Sequence, residues 1–217
     1  MAYARTRQVT VMDQALRDVL AEYEARSEAE SAVMAGLSIS ELTPRIDEFL
    51  IPVGPDTGQL LHMLARSVRA QQLVEIGASY GYSTLWLADA ARETGGKLHS
   101  FELSQEKVDY ALDKLRRVGL HQHVEFHVGD ALKRVPELSG PFDLVLIDCW
   151  KSLYIPSFKQ LLPKLSSGAI VVADNMLKPV EVRYDAQKYQ AYVRGCPGVD
   201  SLQLDIGSGI ELTRKRA

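Results

Sequence analysis

The sequence predicts an α/β fold: a mostly parallel sheet with helices on both faces and an antiparallel strand pair at its C-terminal end. Three observations predict it. From residue 72 onward, short apolar runs alternate with amphipathic helical runs, the pattern of strand–helix–strand units. The apolar runs are nearly continuous, as in strands buried on both faces. The last two runs are joined closely through Gly207, Ser208 and Gly209, the spacing of an antiparallel pair.

The elements follow in order. Residues 10–35 place Val11, Leu16, Val19, Leu20 and Tyr23 at helical spacing among many Ala and Glu residues. A short helix is expected over 41–50, broken by Pro52, Gly54 and Pro55, and a third over 57–69. Strand 73–76 runs into a Gly-rich turn and a helix over 83–91. Strand 97–102, helix 105–118, strand 124–128, a short helix 131–135, strand 142–147, helix 154–165 and strand 169–173 continue the alternation. A polar helix over 183–194 and strands 200–205 and 209–213 complete it. No internal repeat, low-complexity tract or linker interrupts the pattern. One domain over 1–217 is expected, with 1–70 as a helical extension.

Composition narrows the class. The chain has 217 residues, 46% hydrophobic and 24% charged, with a net charge of −3. That balance argues against a general nucleic-acid binder, which carries a basic surface. Cys149 and Cys196 lie far apart and outline neither a disulfide framework nor a zinc site. A reducing, cytoplasmic setting is expected, and the lack of an 18-residue apolar run predicts no membrane span.

The chemistry-bearing residues gather at strand ends. Glu75-Ile-Gly-Ala-Ser-Tyr-Gly81 follows the first strand and opens a helix. Glycines there let backbone approach a ligand, and a helix N-terminus favours a carboxylate or phosphate. A dinucleotide fingerprint would need glycines at 77, 79 and 82; Ser79 and Tyr82 occupy two of those places, so a smaller nucleoside ligand fits better. Glu102 ends the second strand, 25 residues after Gly77, where it either accepts ribose hydroxyls or caps the next helix. Gly129-Asp130-Ala131 ends the third strand and either flanks an adenine ring or forms an N-cap.

Asp148 ends the fourth strand; Asp174 and Asn175 end the fifth. Adjacent parallel strands would bring these oxygens together. Two carboxylates and an amide suit a hard cation, magnesium foremost. The competing reading is that each acid caps the loop after its strand. Lys151, three residues after Asp148, could serve as a base beside a cation, or be an idle surface lysine. His121, His123 and His127 flank the third strand without a metal-ligand partner set and are read as ordinary strand-edge residues.

Taken together these residues resemble the cation-dependent O-methyltransferase family, over roughly residues 45 to 213. Glu75–Ser83 is similar to the family's first motif, and Ala173-Asp174-Asn175 to its metal pair. Asp148-Cys-Trp-Lys-Ser-Leu-Tyr154, Pro179 and Val193-Arg-Gly195 point to its catechol O-methyltransferase branch; the caffeoyl-CoA branch usually has Asp-Ala-Asp-Lys where Trp150 and Lys151 fall.

The resemblance implies a Rossmann-like class I methyltransferase with a seven-stranded sheet, residues 71–217 forming the S-adenosylmethionine-binding core. It implies magnesium, or another divalent cation such as manganese, on Asp148, Asp174 and Asn175, and Lys151 as catalytic base. Ile51, Val53, Glu75, Gly77, Ser79, Tyr82 and Ser83 would line the cofactor, as would Leu103, Gly129, Asp130 and Asp148. Glu102 would hold the ribose, Ala131 would lie beside the adenine, and Trp150 would cover the cofactor. Phe49, Trp150, Lys151, Asn175 and Pro179 would meet a small aromatic diol. The reaction implied is in-line transfer of a methyl group to one hydroxyl.

There are departures. Cys149 stands where the catechol branch has histidine, and the late loop is shorter, with Asp205 the candidate for the second hydroxyl. Three other functions compete with this reading: a tRNA hydroxyuridine methyltransferase, a nicotinamide-dependent oxidoreductase and a non-catalytic S-adenosylmethionine binder. The low basic charge argues against the first, the missing glycines against the second, and the intact Asp148, Lys151, Asp174 and Asn175 against the third. Either a monomer or a homodimer is compatible with the sequence.

Overall fold

A computed structural model describes residues 13–217, so Val11 and the start of the first expected helix lie outside the described residues. Helix α1 (Gln14–Ala35) opens on Asp13, whose side chain accepts the Ala15 N–H and so satisfies one of the unpaired donors of the first turn. Leu16, Val19, Leu20 and Tyr23 are buried along one stripe of it. The expected helix over 41–50 is instead α2 (Ile39–Leu42) followed by a 3-10 turn, Thr43–Glu48. Pro44 lacks the N–H that an α-helix interior requires, and the tighter turn takes over there. Helix α3 (Pro55–Ser67) begins two residues earlier than its periodicity predicts, because Pro55 suits a first helical position.

The sheet then forms in sequence: β1 (Gln72–Ile76), α4 (Tyr82–Thr94), β2 (Lys97–Glu102), α5 (Gln105–Arg117), β3 (Val124–Val128), α6 (Ala131–Arg134), β4 (Phe142–Ile147), α7 (Tyr154–Leu161), β5 (Leu165–Ala173), α8 (Arg183–Arg194), β6 (Val199–Leu204) and β7 (Ile210–Lys215). The strand order is β3-β2-β1-β4-β5-β7-β6. Strands β1 to β5 are parallel; β7 runs antiparallel between β5 and β6. Strand β5 starts four residues earlier than its apolar run, because Gly168 at φ 79° lets a register shift absorb the polar segment opposite Phe142 and Leu144. Helix α7 is shorter than expected: Pro163 turns the last segment, Leu162–Lys164, into a 3-10 turn.

Buried side chains on one sheet face join α1, α3 and α4 to Leu73, Leu98 and Leu144; those on the other join α7 and α8 to Val74, Phe101 and Val145. The strand order reverses between β1 and β4, and ligands of open parallel sheets bind beyond the carboxyl ends of the strands at such a point. Pairing continues one residue past each strand there. The Gly77 N–H donates to Phe101 O at 3.0 Å, Asp148 N–H to Ile76 O at 2.9 Å, Asp174 N–H to Ile147 O at 3.2 Å and Gly129 N–H to Glu102 O at 2.8 Å. These bonds set the first motif residues of four strands in one row.

Candidate active site

Two glycines of the turn after β1 make room for the chain itself. Gly77 has φ 97°, and a Cβ there would lie 1.9 Å from the Asp148 carbonyl oxygen. Gly81 has φ 93°, and a Cβ would lie 2.5 Å from the Ala111 Cβ of α5. The turn between them therefore packs flat onto β4 and α5, with the start of α4 aimed at the sheet edge. Segment 50–53 passes over this turn. Leu50 to Val53, Gly77 to Tyr80, Tyr82, Ser83 and Asp148 line a narrow cleft between the two.

The segment is tied at its N-terminal side. The Leu50 N–H donates to Glu30 of α1 at 2.6 Å, and the Tyr80 hydroxyl donates to the Glu48 carbonyl at 3.3 Å. The Tyr23 hydroxyl of α1 donates to Tyr80 O at 2.6 Å. The N-terminal helix thus packs on its own chain and holds the roof of the cleft.

Glu102 is preset as an acceptor. Its Oε2 takes the Ser79 N–H at 2.9 Å, and its Oε1 takes the N–H groups of Leu103 and Ser104 at 2.8 and 3.0 Å. These donors hold the carboxylate at the end of β2 while one lone pair on Oε2 stays free. Two expected contacts turn out differently. Glu75 is fully buried beneath the turn, accepting Ser83 Oγ at 2.6 Å, Thr84 Oγ1 at 2.6 Å and Ser100 Oγ at 2.5 Å. It supports the turn from below instead of lining the cleft. Burial raises its pKa to about 6, against the three hydroxyls. Asp130 takes its N-cap reading, accepting Leu132 N–H at 3.0 Å. Ala131 begins the helix it caps, and Leu103 is exposed.

At the ends of β4 and β5 the polar groups converge. Asp174 is 1% exposed, and neither of its carboxylate oxygens has a side-chain hydrogen-bond partner; the Asn175 N–H is the one donor turned toward it. Burial, and then the Asp148 charge, raise its pKa; burial raises that of Asp148 as well, with Lys151 opposing. A buried carboxylate without a partner is costly. A cation is the partner this geometry lacks, and two carboxylates with the Asn175 amide oxygen form a hard-ligand set that fits one. Lys151 stands in a short 3-10 turn, Lys151–Leu153. Its Nζ donates to the Asp174 carbonyl at 3.0 Å, to Asn175 Oδ1 at 3.4 Å and to the Tyr154 hydroxyl. Burial lowers the Lys151 pKa, opposed by Asp148 and Asp174. Burial pushes the Cys149 thiol up to about 12, which disfavours the thiolate there.

A family model described as O-methyltransferase matches residues 24–216. The chain belongs to the cation-dependent O-methyltransferase family. Among curated relatives, a catechol O-methyltransferase of Niastella koreensis is 33% identical over 61% of this chain and 61% of its own length. One of Mycobacterium tuberculosis is 34% identical over 69% of this chain and 66% of its own length. The matches thus span a little under two thirds of these two proteins. A caffeoyl-CoA O-methyltransferase of Populus trichocarpa is 29% identical over 82% of this chain and 80% of its own length. Among solved structures, cofactor-bound Rv0187 from MTB superposes with a TM-score of 0.74 at 27% identity, covering 96% of this chain and 93% of that one. The O-methyltransferase TomG of Streptomyces achromogenes, in complex with S-adenosylmethionine, gives 0.72 at 27% identity over 97% and 93%.

Within this family member, the structure brings Asp148, Lys151, Asp174 and Asn175 together and sets Ile51, Val53, Gly77, Ser79, Tyr82 and Ser83 around the cleft. Trp150 is 59% exposed, and Pro179 is also exposed. Asp205 lines an open depression with Asp56, Gln59 and Met63, outside the cleft. Phe49 is buried at 6% exposure, its ring 5.8 Å from the Arg45 guanidinium. Tyr154, which closes the Asp148–Tyr154 motif in the sequence without an assigned role, gains one here. Its buried hydroxyl also donates to the Asp174 carbonyl at 3.1 Å, joining the lysine to the end of β5. Among the described residues no helix is long and apolar enough to cross a membrane.

Proposed function

We propose that this protein is a magnesium-dependent O-methyltransferase that moves a methyl group from S-adenosylmethionine to one hydroxyl of a vicinal aromatic diol. The observation that carries the reading is Asp174, whose two buried carboxylate oxygens lack a side-chain partner and feel the Asp148 charge, while Lys151 Nζ is held on the Asp174 carbonyl and on Asn175 Oδ1. S-adenosylmethionine in the cleft would supply an electrophilic methyl group. A magnesium or manganese ion held by Asp148, Asp174 and Asn175 would acidify a hydroxyl brought to it.

The remaining work falls to the chain. Lys151 takes the hydroxyl proton at Nζ, a role helped by the burial that favours its neutral form. Tyr154 and the Asp174 carbonyl hold that nitrogen in place. Glu102 accepts from the ribose hydroxyls. The α4 N-terminus receives the amino-acid carboxylate. Trp150 and Pro179 form the apolar walls for the ring. Segment 50–53 excludes water, so the developing charges meet in a dry, preset site. We assign residues 1–70 to substrate and roof functions, and 71–217 to cofactor binding.

The test is transfer of labelled methyl from S-adenosylmethionine to acceptors running from catechol to a caffeoyl thioester, with magnesium and then with excess EDTA. Transfer that vanishes with EDTA is expected. Transfer that survives EDTA would overturn the cation assignment. No transfer to any diol, with S-adenosylmethionine still binding, would overturn the diol and move the search to larger acceptors, tRNA among them.

A further inference from the structure

Strands β2 and β3 carry a second set of ligating side chains, away from the methyl-transfer residues. The parallel register pairs His99 with Glu125 and Phe101 with His127. Partners in register, and residues two apart on a strand, share a face of the sheet. His99, Glu125 and His127 therefore project together. His99 Nδ1 lies 3.1 Å from His127 Nε2. Glu125 Oε2 is 3.9 Å from His99 Nδ1, and Glu125 Oε1 is 3.8 Å from His127 Nε2.

These three distances outline one face of a small coordination shell. With zinc–ligand bonds of about 2.0–2.1 Å, the edge of a zinc tetrahedron is about 3.4 Å. The two nitrogens already stand within a few tenths of an ångström of that edge. The carboxylate needs to move by about half an ångström, and its side chain is 50% exposed and free to do so.

The surroundings have the features of a ligating site. The Gln72 Oε1 of β1 lies 3.3 Å from His99 Nε2. An amide oxygen only accepts, so with Gln72 Oε1 turned to it the His99 hydrogen is assigned to Nε2, which leaves the Nδ1 lone pair facing the cluster. Ligating histidines are oriented in this way by an outer acceptor. The Phe101 ring stacks on His127 with centroids 4.7 Å apart and planes at 21°, which fixes the second imidazole. Without an ion, His127 Nε2–H donates to His99 Nδ1. Binding moves that hydrogen to His127 Nδ1, a change of tautomer that needs neither oxidation nor loss of a proton. Lys97 Nζ, 3.7 Å from Glu125 Oε2, is the local competitor, and its side chain is 44% exposed.

We infer that His99, His127 and Glu125 form a binding site for a borderline divalent transition metal of the zinc type, separate from the hard-cation site at Asp148, Asp174 and Asn175. Two imidazoles and one carboxylate favour zinc over magnesium, so the two sites sort ions by ligand chemistry. An ion there would staple β2 to the edge strand β3, whose ends carry Glu102 and Gly129. The other cluster of this kind among the described residues, His62, Asp89 and Glu93, is already neutralised: Asp89 holds Arg92 at 2.6 Å and Glu93 holds Arg66 at 2.7 Å.

The test titrates zinc into the chelator-stripped full chain, in excess magnesium, against a competing chromophoric chelator. One tight equivalent and a raised Tm are expected. His127→Gln should abolish that equivalent and Gln72→Leu weaken it about tenfold. Glu125→Gln, at a half-exposed position where misfolding is not a concern, should also weaken it. Asp174→Asn and His62→Gln should retain it. Cobalt bound at the same site should show the visible absorption of a four-coordinate ion, lost in Glu125→Gln or shifted by it. No stoichiometric zinc, zinc retained by both His127→Gln and Glu125→Gln, or zinc lost in Asp174→Asn would each overturn the proposal.

Discussion

Glu75→Gln isolates the titration of one buried carboxyl under the Gly-rich turn. In the folded protein burial raises its pKa from 4.5 to about 6, while Ser100, Ser83 and Thr84 pull the other way. A folded-state pKa above the unfolded one means that ionisation opposes folding. The stability associated with the neutral acid is fully present below pH 4.5 and is lost as pH rises through about 6. At about 1.36 kcal/mol per pH unit, the loss is about 2 kcal/mol. Glutamine has the same shape and does not titrate. One hydroxyl must turn round to accept from its amide, a constant offset of about 1 kcal/mol. Urea unfolding of both proteins at a series of pH values gives the difference in stability. Titration of other groups largely cancels in it. Wild type should lose about 2 kcal/mol relative to the variant between pH 4.5 and 7, with a level difference above that. A flat difference throughout would refute the reasoning. A difference that grows in favour of wild type with rising pH would mean that the three hydroxyls outweigh burial and hold Glu75 ionised.

Other expectations follow from the site. Lys151→Met should lower kcat by roughly 10²–10⁴ while the S-adenosylmethionine Kd from calorimetry stays within about twofold; equal losses in both would make Lys151 a structural residue. Asp174→Asn should be at least as stable as wild type in EDTA, because burial disfavours the ionised Asp174, yet gain no stability from magnesium in thermal melts. Gly77→Ala should cost about 4 kcal/mol or more by urea unfolding, since φ is 97° and the new Cβ would meet the Asp148 carbonyl, which is backbone and cannot swing away.

Much of this was legible in the chain alone. Apolar runs and strand–helix alternation are local properties, so the order of elements and the parallel core from β1 to β5 could be read directly. The residues beyond strand ends could be read too, because parallel strands with right-handed crossovers must place their carboxyl ends at one edge. That is why the sequence already groups Gly77, Glu102, Asp148 and Asp174. Local steric rules, applied more strictly at Pro44 and Pro163, would have placed the 3-10 turns as well.

Other features depend on where a side chain points after packing, and spacing carries no record of that. Glu75 turns inward because Ser83, Thr84 and Ser100 offer three hydroxyls beneath the turn, two from α4 and one from β2. Asp205 faces α3 rather than the cleft because the β6–β7 loop lies against Val53 and Thr57. The histidines of the third strand had no visible partner because His99 and Gln72 come from other strands, 28 and 55 residues away from His127, and only the sheet register brings them together. The sequence by itself determined which residue types reach the sheet edge. Tertiary structure alone decided which of them meet, because hydrogen bonds and ligand sets form between side chains whose distance is set by strand pairing and helix packing.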